Sequence, residues 1–139
     1  MMKWIVCGLA MLFAGCGGST DPLPILSDKF FAIQKQTLSQ TCASGSCHGD
    51  GTKGPFLWLT PDSAYNQLLF SHPIENDEGA KKYKALVVPF KPDSSFLVVK
   101  ITNPTPLEGA LMPNNNTGRL PQNQIDAIIS WIKRGAPND

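Results

Sequence analysis

Apolar positions recur along this chain in two rhythms, an unbroken run near its start and helix-spaced stripes further on. The run is Trp4 to Phe13, behind Met1-Met2-Lys3. It is about half the roughly 20 residues that a helix needs to cross a bilayer. With its basic start it predicts a secretory signal. From Ser27 to about Gln40 the spacing turns helical: Ser27 can cap the start, and Phe30, Phe31, Ile33 and Leu38 form an apolar face. A second helix is predicted from Thr60 to Phe70, with Thr60 as cap, Pro61 in the first turn, Asp62 near the positive end, and Tyr65, Leu68 and Leu69 as its apolar side. A third, short one starts at Asp93 and covers Phe96 to Ile101 before Asn103-Pro104 ends it, although its Val and Phe content also suits a strand. The last is the most regular. Pro121 opens it, and Ile125, Ile128, Ile129 and Ile132 fall at i, i+3, i+4 and i+7, with Trp131 at the edge of that stripe. Lys133 and Arg134 fill its final turn, Gly135 can form a left-handed cap, and Pro137 forbids continuation.

Connections rich in Pro, Gly and Asn separate these helices, which is unusual for a self-sufficient bundle. The expected fold class is therefore all-α, with helices gathered round a large buried cofactor. The predicted division is a signal over residues 1–15, a Gly/Ser/Pro-rich tether over 16–24, and one domain over 25–139.

Charge narrows the partners. The 139 residues carry 12 Lys and Arg against 11 Asp and Glu. No basic stripe suggests nucleic acid. Lys81, Lys82, Lys84, Lys91 and Lys100 fall close together and read as a solvated face.

The chemistry is concentrated in Cys42-Ala-Ser-Gly-Ser-Cys47-His48. Two thiols followed at once by an imidazole are what covalent haem attachment needs: each thiol adds to a vinyl group, and the histidine becomes an axial ligand of iron. The usual spacing has two residues between the cysteines. Here there are four, small enough to bulge outward. A zinc site from Cys42, Cys47, His48 and His72, or a plain disulfide, would use the same residues without needing His48 against Cys47. A ligating imidazole normally donates its second ring nitrogen to a carbonyl, and Pro55 in Gly54-Pro55 is the candidate acceptor.

The sixth ligand is argued by inventory. Of four methionines, Met1, Met2 and Met11 lie in the signal, which leaves Met112 in a polar, proline-stiffened loop. A gap-filling methionine would more often lie on an apolar helix face. Met112 is the expected axial ligand, with His72 or an open position as alternatives. Two protein ligands leave no place for substrate at the metal, so an electron carrier is expected rather than an enzyme. No catalytic triad or phosphate-binding loop competes with that reading.

Several segments together resemble the planctomycete-type cytochrome c domain, a class of monohaem cytochromes c. They are Phe31-Ala-Ile33-Gln34, Cys42-x4-Cys47-His48-Gly49, Ala64-Tyr65, Val88-Pro89, Asp93-Ser-Ser-Phe-Leu-Val, Met112-Pro113 and Trp131-Ile132-x-x-Gly135-Ala136. The resemblance spans about Leu23 to Pro137. It implies the cytochrome c-like fold, about four helices around one covalent haem c, with the first and last helices crossing at one haem edge. It further implies Cys42 and Cys47 as thioether residues, His48 and Met112 as the axial pair, and a Gly-Pro carbonyl on the proximal histidine. Val88-Pro89-Phe90 stands where that family tends toward Pro-Gly, a difference expected to alter only a turn. Phe13-Ala14-Gly15-Cys16 is similar to the lipobox of bacterial lipoproteins, which implies lipidation at Cys16, and Gly17 lacks the aspartate of inner-membrane retention. The expectation is an exported cytochrome that exchanges single electrons with redox proteins. Its lipid would hold it at the periplasmic side of the outer membrane, and it would use no nucleic acid or small-molecule substrate. The alternatives are a haem-based sensor or ligand-binding module whose sixth position is open or not Met, and a haem-free disulfide lipoprotein.

Overall fold

The computed structural model describes residues 24–49, 57–73, 78–115 and 118–139. The predicted signal, the expected lipidation residue Cys16 and the candidate acceptor Pro55 lie outside them. Among the described residues there are four α-helices, α1 (Phe30–Ile33), α2 (Ala64–Phe70), α3 (Phe96–Thr102) and α4 (Gln122–Lys133), and no strand. The helical fold class holds, and the segment that also suited a strand is α3. None of the described helices is long and apolar enough to cross a membrane.

The predicted first helix is differently built. α1 is a single turn that passes directly into a π-helix, Gln34–Cys42, which ends as Ala43 N donates to Leu38 O, 2.8 Å away and five residues back. Such wide turns are rare and tend to occur at functional segments. The buried positions are Phe30, Ile33, Gln34, Thr37 and Leu38, whereas Phe31 is 70% exposed. Its place on the apolar face is thus corrected: one residue on from Phe30, it is turned about 100° round the helix from the side that packs. Ser27 is not the cap either. Its hydroxyl accepts from Lys29 N, and the first free amides of α1 are taken by Asp139, with Oδ1 2.9 Å from Phe30 N and the backbone oxygen 2.8 Å from Phe31 N. The Phe30 amide is the main reason the Asp139 carboxyl titrates below its ordinary range.

α4 packs against α1 through Trp131, which is fully buried rather than marginal. Its ring lies 5.2 Å from Phe30, which meets Tyr65 of α2 edge-on at 5.1 Å, and its Nε1 donates to Pro137 O at 2.8 Å. Phe30 draws the buried face of α4 toward Ala127 and Trp131, leaving Ile129 only partly covered. Outside this seam, Arg134 donates to the Asp28 carboxylate at 3.0 Å and to Asp139 at 3.1 Å.

The turn at Val88-Pro89-Phe90 keeps a glycine-like backbone without glycine. Phe90 has φ 67, its amide donates to Ile132 O at 2.8 Å, and its ring lies over Gly135, itself at φ 98. A methyl group at Gly135 would stand 2.5 Å from Phe90 Cζ. Packing against α4 therefore sustains a conformation that bulky residues avoid.

One carboxylate among the described residues is buried. Glu108 ends a short 3₁₀ turn, Pro106–Glu108, and is 2% exposed. Its Oε1 accepts from the Lys82 ammonium at 2.6 Å and the Tyr83 hydroxyl at 2.9 Å, and its Oε2 accepts from Thr105 N at 2.8 Å. Three of the clustered lysines are engaged, not merely solvated: Lys82 on this carboxylate, Lys100 on the Glu108 carbonyl at 2.8 Å, and Lys81 on the Glu78 carboxylate at 2.6 Å. The Lys82 ammonium first, then the Thr105 amide, hold the Glu108 carboxyl down to about 2 from its ordinary 4.5.

Gly135→Ala should destabilise the fold by about 1–3 kcal/mol, because alanine must adopt a positive φ there and displace the Phe90 ring; a urea-denaturation midpoint measures it. Acid should act through Glu108. A depressed folded-state value stabilises fully above the unfolded value, and that stabilisation drains away as pH falls from about 4.5 toward 2. Melting temperature should fall across that window, and more shallowly in Glu108→Gln.

Candidate functional site

The π-helix delivers Cys42 to the start of a tight loop. His48 N donates back to Cys42 O at 3.0 Å, and Cys47 N donates to Ser44 O at 2.9 Å. Ser44, Gly45 and Ser46 stand exposed on the outside of this turn, while Gly49 is buried beneath it. A Cβ at Gly49 would lie 2.6 Å from Ser44 O, so close approach of the two backbones requires glycine there.

His48 is then clamped by the segment Leu57–Leu59. Leu59 N donates to His48 O at 2.8 Å, and His48 Nδ1 is 3.0 Å from Leu57 O. A carbonyl only accepts, so Nδ1 is the nitrogen that carries the proton in the neutral imidazole, and the lone pair is then on Nε2. The acceptor is therefore Leu57, two residues beyond Pro55. Buried Gln34 holds the segment from the other side, its Nε2 donating to Leu59 O at 2.9 Å. Nothing in the side chains of the sequence marks Leu57, because its contribution is a backbone oxygen. Glu108 did leave a signal: Thr105-Pro-Leu-Glu108 has the spacing of a capping box, and both of its hydrogen bonds form.

Met112 reaches the same place from the far side of the chain. Its amide donates to Lys100 O on α3 at 2.7 Å. Two adjoining cavities, of about 270 and 200 Å³, are both lined by Cys42, His48 and Met112. The larger runs inward between apolar walls that include Leu59, Leu68, Leu86, Phe96 and Ile101. The smaller opens past Thr41, Ser46, Cys47 and Asn114. His72 lines only the larger one, with Nδ1 2.7 Å from Lys84 O.

Cys42 and Cys47 are both free thiols. Burial, then the neighbouring Cys47, pushes the Cys42 thiol up to about 11. A reactive redox cysteine is shifted the opposite way, so this thiol is not a poised nucleophile. Among the described residues no three His, Cys, Asp or Glu side chains converge on a metal site. The four residues considered for zinc do not form one. A larger open cleft of about 620 Å³ lies against α4, lined by Asp28, Asn123, Asp126 and Ser130, and contains none of the Cys, His or Met side chains discussed.

The two cavities bring together an imidazole, a thioether and the Cys42 thiol, with Cys47 on the smaller and hydrocarbon walls along the larger, a set of donors able to hold a metal-bearing apolar group. No family model matches this sequence, and neither a curated protein nor a solved structure matches it.

Proposed function

We propose that this chain is a monohaem c-type cytochrome that carries single electrons between redox proteins, within the cytochrome c-like fold that its sequence resembles. The observation that carries the reading is the 3.0 Å bond of His48 Nδ1 to Leu57 O, which leaves the Nε2 lone pair available for a metal in a residue that shares both cavities with Met112.

Bound haem c would supply a ferric–ferrous couple that changes by one electron. Cys42 and Cys47 would hold the group covalently, and His48 and Met112 would bind its iron. The Leu57 carbonyl orients the imidazole and strengthens it as a base, while the thioether, a soft ligand, favours the reduced metal. Leu59, Leu68 and Phe96 keep water from the inner side, which also tunes potential. With His48 and Met112 both binding the iron, no place would remain there for a substrate, so the chain is read as a carrier and not an enzyme. The signal over residues 1–15 and lipidation at Cys16 would place it outside the cytoplasm on a membrane, at the periplasmic side of the outer membrane. A sensor or ligand-binding module is the second reading. It is favoured by His72, which lines the larger cavity and has its Nδ1 2.7 Å from Lys84 O.

Full-length protein made in a host able to attach haem should be coloured and heavier by one haem, and Cys42→Ser with Cys47→Ser should abolish both properties. In the ferric state it should show the weak far-red band of thioether–iron bonding. Met112→Ala should remove that band, lower the midpoint potential and let the ferrous protein bind carbon monoxide. A colourless wild-type protein would refute the proposal, and an unaltered Met112→Ala spectrum would transfer it to the second reading.

A further inference from the structure

Glu108 borders neither cavity, yet the segment that presents Met112 is suspended from it. Met112 sits in no helix or strand. The stretch from Glu108 to Met112 is instead tied twice to one residue of α3: the Lys100 ammonium donates to the Glu108 carbonyl at 2.8 Å, and the Lys100 carbonyl accepts from the Met112 amide at 2.7 Å. The Glu108 carboxylate secures the near end of that stretch. It closes the Pro106–Glu108 turn on the Thr105 amide and draws in Tyr83 and Lys82. Gly79 N donates to Leu107 O at 2.7 Å, and a Cβ on Gly79 would lie 2.6 Å from both Leu107 and the Glu108 side chain, so there is no slack behind the turn. The Tyr83 ring packs at 5.1 Å on Phe96, a wall of the larger cavity.

We propose that Glu108 is a positioning residue for Met112, its buried carboxylate locking residues 79–83, α3 and the segment 105–112 into the one arrangement that sets the thioether opposite His48. The inference rests on the haem ligation proposed above. The carboxylate accepts from three donors, one of them charged. A glutamine amide offers one acceptor oxygen and turns an NH₂ group toward the remaining donors, and buried groups left without partners are costly. The loss falls on the anchor of the Met112 segment and on no residue that would touch the iron. Met112 should then leave the sixth position more often, while His48 and the thioether bonds stay as they were.

The test compares full-length holoprotein of the wild type, Glu108→Gln, Glu108→Asp and the distant, destabilising Gly135→Ala. Haem content by mass, the far-red ferric band and carbon monoxide affinity of the ferrous state are measured. Glu108→Gln should retain haem, lose most of the band and bind carbon monoxide roughly tenfold more tightly. Glu108→Asp should recover part of the band, and Gly135→Ala should leave band and affinity at wild-type values. The proposal is overturned if Glu108→Gln is destabilised but keeps the wild-type band and affinity. Should that variant not accumulate, Lys82→Met, which retains the carboxylate, should shift both readings the same way by a smaller amount, and no shift there is equally fatal. A wild-type protein lacking haem or the far-red band would instead remove the ligation on which the inference rests.

Discussion

Burial of the Trp131 indole against Phe30 is the contact on which the rest of this molecule is arranged. α1 is one turn long, too short to persist alone, because helix nucleation is unfavourable and short helices draw their stability from packing. The indole supplies a large apolar surface with one polar atom, and Pro137 O satisfies that atom. Phe30 then bridges α4 to Tyr65 of α2, whose hydroxyl returns to Ala136 O at 3.1 Å. Asp139 caps α1 from more than a hundred residues away, and Arg134 pins Asp28 beside it. Residues distant in sequence thus stabilise the start of the segment that leads to Cys42.

From that base the site is built by backbone more than by side chains. The π-helix carries the chain to Cys42, the loop folds back on Gly49, and Leu57–Leu59 closes over His48. A histidine with a fixed tautomer is worth more to a metal than a mobile one, because orientation need not be imposed when the bond forms. The opposite side has no such scaffold. Met112 depends on its amide bond to Lys100, on the Lys100 bond to the Glu108 carbonyl, and on the carboxylate of Glu108, a buried ion that costs desolvation unless its partners are complete. Its three donors make it so.

Helix positions were largely legible in the sequence because they follow local rules. The isoleucine spacing of α4 and its Gly135 stop are readable where they stand, and α3 and α4 follow such signals closely. By contrast, α2 begins at Ala64 and not at Thr60-Pro61, because residues 61–63 form a turn on the Thr60 carbonyl and Ser63 takes the N-cap position. The departures at Phe31 and Trp131 share one cause: periodicity ranks faces by average apolarity and ignores the partner. The observed faces turned toward the Phe30–Trp131 contact instead. Ser27 has the chemistry of a cap, but Asp139 takes the role because tertiary packing brings it to the end of α1.

The sequence by itself determined the chemistry on offer: two thiols, an imidazole directly after the second, a solitary thioether in the domain, and helices with long connections. Those are covalent facts and short-range spacings, which need no fold to be read. Tertiary structure decided which carbonyl meets His48, that Met112 shares its cavities, and that Phe90 keeps a backbone suited to glycine. It also gave Glu108 its partners. Each of these joins atoms from separate segments, and only closure of the whole chain brings such atoms within hydrogen-bonding or contact distance.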